Sequence, residues 1–393
     1  MNHNILGSVA MGYAPLVDAQ RMVNATRLTV VPLRPDAALE GSDLLAAMAE
    51  VWPAGDGQVV LSIHNEALLK SVLAAKPSAN VMLEVPAFMA ADDGLNEPIQ
   101  ALRAAGNKLL LKGRASASVS LAVLPCFKYA LLDPQDEAQG DGSPGLTKLL
   151  TGVRGAADID AAFKRGAQGV IGWPMEGAYE PPPGAPTRSD VQADLQVIVE
   201  LMSRVDQGED IDRLEQTLKR DPSLAFKLLR YMNSAAFGLS VEVSSFRHAI
   251  MLLGYSRLKR WLALLLTTAS KDHSMRPIMF GALRRGLIME ELAKSMDDSE
   301  MRDEMFVCGL FSLLDHMLKQ PFTRLLQSIP VPERVRQALV EGTGPYRPYL
   351  DLVQALEAES IYDYRSATEQ LMLDAQEVNA CLLRALQKAS HLE

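Results

Sequence analysis

Short apolar runs recur along the first part of the chain: Leu28–Leu33, Val59–Ile63, Val81–Val85, Lys108–Lys112, Leu121–Leu124, Tyr129–Asp133, Lys148–Val153 and Gly169–Trp173. Several are separated by helix-like segments, Asp43–Val51, Asn65–Ala75, Asn96–Ala105 and Asp158–Arg165. Short apolar runs suit buried strands, and their alternation with helices suits βα units around parallel strands. An α/β barrel is the natural closure. Yet only 176 residues precede the first strong break, against roughly 200 at the bottom of the usual barrel range. Gly113–Ser120 and Pro125–Lys128 are also too short for a full crossover helix. The pattern therefore predicts a trimmed TIM-type barrel.

Downstream the period changes to that of helices with explicit stops and starts. In Asp221-Pro222-Ser223-Leu224 the Asp stands as N-cap and the Pro as first helical residue, after which Leu224, Leu228 and Tyr231 share a face. Ser244–Leu253 reads as a helix closed by Gly254, and Ser256 can cap the next, Arg257–Ala269. Ile278–Met296, Glu304–Leu318, Pro332–Glu341, Leu350–Ser360 and Ala375–Lys388 continue the helical pattern. Between the two patterns lies GAYEPPPGAPTRSD, residues 177–190, which holds four of the 22 prolines. Such a stretch cannot continue a helix or pair inside a sheet. It divides the chain into an α/β part, 1–176, a linker, 177–190, and an all-α part, 191–393.

Composition narrows the function classes. The chain carries 39 Lys and Arg against 48 Asp and Glu, a formal charge of -9, and both sides of residue 176 are acidic on balance. That field repels phosphate backbones, so nucleic acid is not an expected partner. Residues 1–17 lack the basic start and apolar block of a signal peptide. The most apolar stretch, Trp261–Leu266, is far shorter than the roughly 20 residues that cross a bilayer. A cytoplasmic protein with no membrane association is the expectation. Cys126, Cys308 and Cys381 stand singly and read as small buried hydrophobes.

A search for catalytic motifs yields little. None of the six histidines (His3, His64, His248, His273, His316, His391) is followed by Asp, so the His-Asp pair of helical metal-dependent phosphohydrolases is absent. No zincin, nucleophile-elbow, Walker-type or dinucleotide-binding motif is present. Arg247, His248, Arg257, Lys259 and Arg260 cluster on two successive helices and could contact phosphates. Without interleaved aromatics, a solvated face beside Trp261 is the plainer reading.

The runs DPSLAFKLLRYMNSAAFG (221–238) and SSFRHAIMLLGYSRLKRWL (244–262) resemble an HDOD domain, a helical relative of HD-type phosphohydrolases. Asp221-Pro222, Asn233-Ser234, Ala249-Ile250 and Gly254 fall where that family's pattern puts them. The stretch FVCGLFSLLDHML (306–318) resembles the segment that carries the His-Asp pair in catalytic relatives; there Ser312 and Leu313 stand at the His and Asp positions. Leucine cannot ligate a metal, so the resemblance implies that this hydrolase site is lost.

An HDOD domain behind a short α/β domain suggests the EAL-HDOD arrangement, in which the front domain is similar to cyclic-di-GMP phosphodiesterases. YAPLVD (13–18) resembles the opening of EAL domains, and that alignment sets the signature Glu-Ala-Leu on Arg27-Leu28-Thr29. The resemblance then implies Ser62 at a second ligand position and Glu84 as a retained acid. Lys112-Gly113 falls at a paired-Asp position, Leu131 at that of a catalytic Lys, and Thr151, Arg154 and Ile171 at later Glu and Gln positions. Val31 stands where relatives place a phosphate-contacting basic residue. Glu66-Ala67-Leu68 also spells the signature, but on a helix start. Two-metal hydrolysis needs several carboxylates, and here Arg27 and Lys112 put positive charge where cations would sit.

The expectation is a bacterial, catalytically inactive signal-transduction protein, with no catalytic residue, metal or cofactor, that acts by binding other signalling proteins. Cyclic-di-GMP should bind weakly or not at all. Two alternatives stay open: a cyclic-di-GMP-binding effector without hydrolysis, and a residual metal-dependent phosphohydrolase. For a partner surface or structural motif the candidates are Asp221, Pro222, Asn233, Ser234, Arg247, Arg257, Lys259 and Arg260.

Overall fold

A computed structural model describes residues 3–54, 57–115, 119–139, 145–181, 193–218, 246–268, 272–296 and 298–390. The chain divides into two compact units: Met1–Glu176 together with Gln354–Arg384, and Gly177–Val353 together with Ala385–Glu393. The division of the sequence at its proline-rich stretch assigned all of 191–393 to the helical part. The structure differs, because a C-terminal segment returns to the first unit.

The first unit is a closed barrel of eight strands in chain order. They are β1 (Val9–Asp18), β2 (Val23–Pro32), β3 (Val59–Ile63), β4 (Val81–Pro86), β5 (Leu109–Lys112), β6 (Phe127–Leu132), β7 (Thr147–Arg154) and β8 (Gly169–Trp173). β2 to β8 pair in parallel, whereas β1 is antiparallel to both β2 and β8. A tight β1–β2 hairpin replaces one βα unit, and among the described residues β5 reaches β6 with only a short 3-10 turn, Leu124–Cys126. These two economies are how 176 residues close a barrel, as the trimmed pattern implied.

Two expectations change. Leu121–Leu124 is not a strand, and Leu121 is 87% exposed. β1, conversely, does not stand out in the sequence: Ala10, Gly12, Ala14 and Pro15 dilute its apolar signal although nearly every position is buried. The helix Glu66–Ala74 starts as the pattern predicts, with the Asn65 side chain accepting from the Leu68 N–H at 2.8 Å. Glu66-Ala67-Leu68 is thus a capped helix start and no site. A core of Val17, Leu132, Leu150, Val153, Ile159, Ala162, Ala167 and Val170 seals β6 to β8 beneath the helix Ala156–Lys164.

β1 pairs with β8 only through Leu16–Asp18, so Val9–Pro15 has one edge without a strand neighbour. Bare edges invite unwanted pairing. Here the C-terminal segment covers the edge: Asn379, fully buried, accepts from the Met11 N–H and donates to the Leu6 and Val9 carbonyls. A Cβ on Gly12 would lie 2.7 Å from the Leu356 carbonyl oxygen, so only glycine lets the helix end approach so closely.

In the second unit the helix Arg276–Leu292 packs against Ser299–Phe311, and Phe246–Thr268 packs against both Ala193–Asp206 and Ser299–Phe311. Gly254, at φ 72°, breaks Phe246–Thr268 into two helices where the sequence placed a stop. Leu258, Trp261, Leu262, Phe306, Leu310 and Phe311 are buried in this unit, and Cys126, Cys308 and Cys381 are all buried and unbridged. Among the described residues no helix is long and apolar enough to cross a membrane.

Candidate functional site

In a parallel barrel the functional end is where the strands finish, because loops there present side chains from several strands to one point. β2, β3, β4 and β5 carry Arg27, Ser62, Glu84 and Lys112 toward that end. The four positions that the EAL resemblance singled out as metal-site replacements converge in space.

Arg27 is the centre of the cluster. Its side chain is only 4% exposed. Nε and Nη2 donate to the two oxygens of Glu84 at 2.6 and 2.9 Å, and Nη2 also donates to Ser62 Oγ at 3.0 Å. Nη1 donates to both carboxylate oxygens of Glu359, at 2.7 and 2.6 Å, and Thr29 Oγ1 donates to the same group at 2.9 Å. Lys112 Nζ adds contacts at 3.4 Å to Glu84 and to Ser62. Two basic and two acidic side chains therefore neutralise one another inside the barrel mouth.

Burial alone would push the Glu84 carboxyl up; Arg27 and Lys112 outweigh it and hold the group at about 2. Burial likewise works against the Arg27 charge, and Glu84 and Glu359 more than offset it. His64, 3.4 Å from Ser62 Oγ, is held below its ordinary value by desolvation and by the cations Lys112 and Arg27. Bidentate charge-assisted bonds are among the strongest polar contacts a protein makes. The geometry leaves both Glu84 oxygens engaged by a guanidinium, so the acid retained from the EAL pattern is already spent.

Glu359 was beyond sequence reasoning. It lies 332 positions from Arg27, just after the helix Arg347–Ala358, and takes a left-handed backbone at φ 56°. That conformation is costly for a residue with a Cβ. Nearby, Tyr13 donates its hydroxyl to Glu357 at 2.9 Å and packs edge-on against Trp173. The gap left between Gly12, Thr29 and the segment around Glu359 and Tyr364 is about 20 Å³, room for one water.

The remaining positions of the alignment offer no ligands. Leu131 and Ile171 are buried apolar residues, Thr151 is half-buried, and Arg154 is exposed and faces Glu176. In the second unit Ser312 accepts from Arg285 Nη1 at 3.0 Å, Leu313 is buried, and the buried Asp315 accepts the Tyr179 N–H at 2.8 Å. Burial pushes the Asp315 carboxyl up. His316 Nε2 lies 2.9 Å from the Gly177 carbonyl, so the first residues of the proline-rich stretch are held against this unit. Among the described residues no three His, Cys, Asp or Glu side chains form a group able to hold a metal.

The basic cluster does not form a free face. Arg247 pairs with Asp212 and Glu215, Lys259 with Asp206, and Arg260 with Glu290 and Asp303 while stacking on Phe306; Arg257 is exposed. Asp221, Pro222, Asn233 and Ser234 lie outside the described residues.

Residues 192–318 match the HDOD domain. The chain is 28% identical over 278 residues, 70% of its length, to the uncharacterized protein YuxH of Bacillus subtilis (strain 168), and it spans 66% of that protein, just under two thirds. It is 23% identical over 339 residues to the cyclic di-GMP phosphodiesterase CdgJ of Vibrio cholerae, covering 83% of this chain and 77% of that one. Weakly similar solved structures include Klebsiella pneumoniae BlrP1 in a manganese/cy-diGMP complex, with a TM-score of 0.33, 18% identity, and 44% and 56% of the two chains covered. The EAL domain of Mycobacterium smegmatis DcpA gives a TM-score of 0.30 at 17% identity, with 42% and 90% covered.

Proposed function

From the premise that this chain is an EAL-like barrel followed by an HDOD domain, we propose that it is a non-catalytic signalling protein, in which both hydrolase-derived domains serve as scaffolds for other signalling proteins. One observation carries the reading. The Arg27 guanidinium, bound to Glu84, Glu359 and Ser62, fills the place in the barrel mouth that the EAL alignment gives to metal ligands. A divalent cation there would need free carboxylate oxygens and would meet the charges of Arg27 and Lys112.

The same pairing argues against an effector role. A cyclic dinucleotide presents phosphates to basic side chains, and Arg27 and Lys112 already face carboxylates in this cluster. One relative is named as a cyclic di-GMP phosphodiesterase, which makes cyclic di-GMP the ligand to test. Calorimetry with cyclic di-GMP, in the presence of Mn²⁺ or Mg²⁺, should give no binding tighter than about 100 μM. Crosslinking in the native organism should then capture protein partners. Micromolar binding of cyclic di-GMP would favour the effector reading instead.

A further inference from the structure

Barrel interiors are normally filled by layers of side chains, and their N-terminal ends serve stability. At that end of this barrel, opposite the ion cluster, a cavity of about 440 Å³ opens. Six of the eight strands contribute to its lining, and Gln58 and Lys108 immediately precede the other two, β3 and β5. The floor is apolar, with Leu16, Met82 and Leu149, and Gly169 adds no side chain. The rim is polar: Asn24, Gln58, Lys108, Lys128 and Gln168. An apolar floor with a few convergent polar groups, at this volume, is the usual form of a small-molecule site.

Charge defines what it would take. Asp18, the acid at the rim, is used locally: its carboxylate accepts from the Gln20 and Met22 N–H groups and from the Asn24 amide. Lys108 Nζ donates to Gln58 Oε1 at 3.0 Å, and the Lys128 ammonium sits 5.3 Å from the Tyr129 ring centre. Among the described residues neither lysine faces a carboxylate within ion-pair distance, in a chain with nine more acidic than basic side chains. Two lysines against one carboxylate, Asp18, therefore stand on the lining among the described residues, beside side-chain amides that each carry a donor and an acceptor. An ammonium suits a phosphate, and paired amide groups suit the edge of a heterocycle.

We infer that the N-terminal end of the barrel is a binding site for a nucleoside monophosphate, with its phosphate on Lys108 and Lys128 and its base over the apolar floor against the Gln58 and Gln168 amides. The inference is independent of the reading of the opposite end. Calorimetry of the full chain with GMP and AMP, with guanosine and inorganic phosphate as partial ligands, tests it. At least one nucleotide should bind with Kd below about 1 mM and more tightly than either partial ligand. Lys108→Met or Lys128→Met should weaken it about tenfold, while Lys70→Met, a surface change elsewhere on the barrel, should not. Lys128 is exposed, so its variant folds and keeps the test decisive. No binding of either nucleotide, equal affinity for inorganic phosphate alone, or binding unchanged in both lysine variants would overturn it.

Discussion

Arg27 stabilises the barrel mouth through the acids it holds, Glu84 and Glu359. A buried charge left without its partner costs far more than the intact pair contributes, on the order of 3–5 kcal/mol. Arg27→Ala leaves Glu84, which is 1% exposed, with Lys112 and Ser62 but without its guanidinium. Equilibrium unfolding should show a loss of that size, and Arg27→Met combined with Glu84→Met should recover only part of it, because Glu359 still lacks its guanidinium. Glu84 itself gives a pH signature. Folding lowers its pKa from an ordinary 4.5 to about 2, so the stabilisation is complete above about pH 4.5 and fades as the pH falls toward 2. That difference is worth on the order of 3 kcal/mol. Carboxyl NMR of the native protein should show Glu84 still ionised at pH 3.5, and a midpoint near 4.5 would contradict the cluster. Arg27, Ser62, Glu84 and Lys112 were legible in the sequence because the EAL resemblance sets them on successive strands. Glu359 was not, since nothing local in its helix end announces a partner in β2.

Among the elements, the strands with continuous apolar runs, such as Val59–Ile63 and Gly169–Trp173, were read to the residue. β1 escaped because a strand buried along its whole length need not alternate, and its small residues serve close packing with the C-terminal segment instead. That segment acts as the missing neighbour of β1. Asn379→Leu would leave the Met11 N–H and the Leu6 and Val9 carbonyls without their partner. Each buried group left unpaired costs about 1–3 kcal/mol, so the variant should unfold at markedly lower denaturant. Hydrogen exchange at Met11 should rise with it. Unchanged protection at Met11 would show that Asn379 does not cover the edge.

For the whole molecule, the proline-rich stretch 177–190 divided the sequence into an α/β part and an all-α part. The described structure changes that expectation, because Gln354–Arg384 belongs with the barrel. Residues 1–176 expressed alone lose Glu359 and Asn379 together, and should aggregate or melt well below the full chain. A monomeric fragment with the full chain's melting temperature would refute the shared unit. Sequence pattern revealed two architectures and a break between them, but a segment that returns across more than 300 residues leaves no local periodicity to read. The most direct test of the filled barrel mouth is turnover. Purified full-length protein, given cyclic di-GMP with Mn²⁺ or Mg²⁺ and followed by chromatography, should release no product above a protein-free control. Hydrolysis above that control, abolished by Glu84→Gln, would contradict the account.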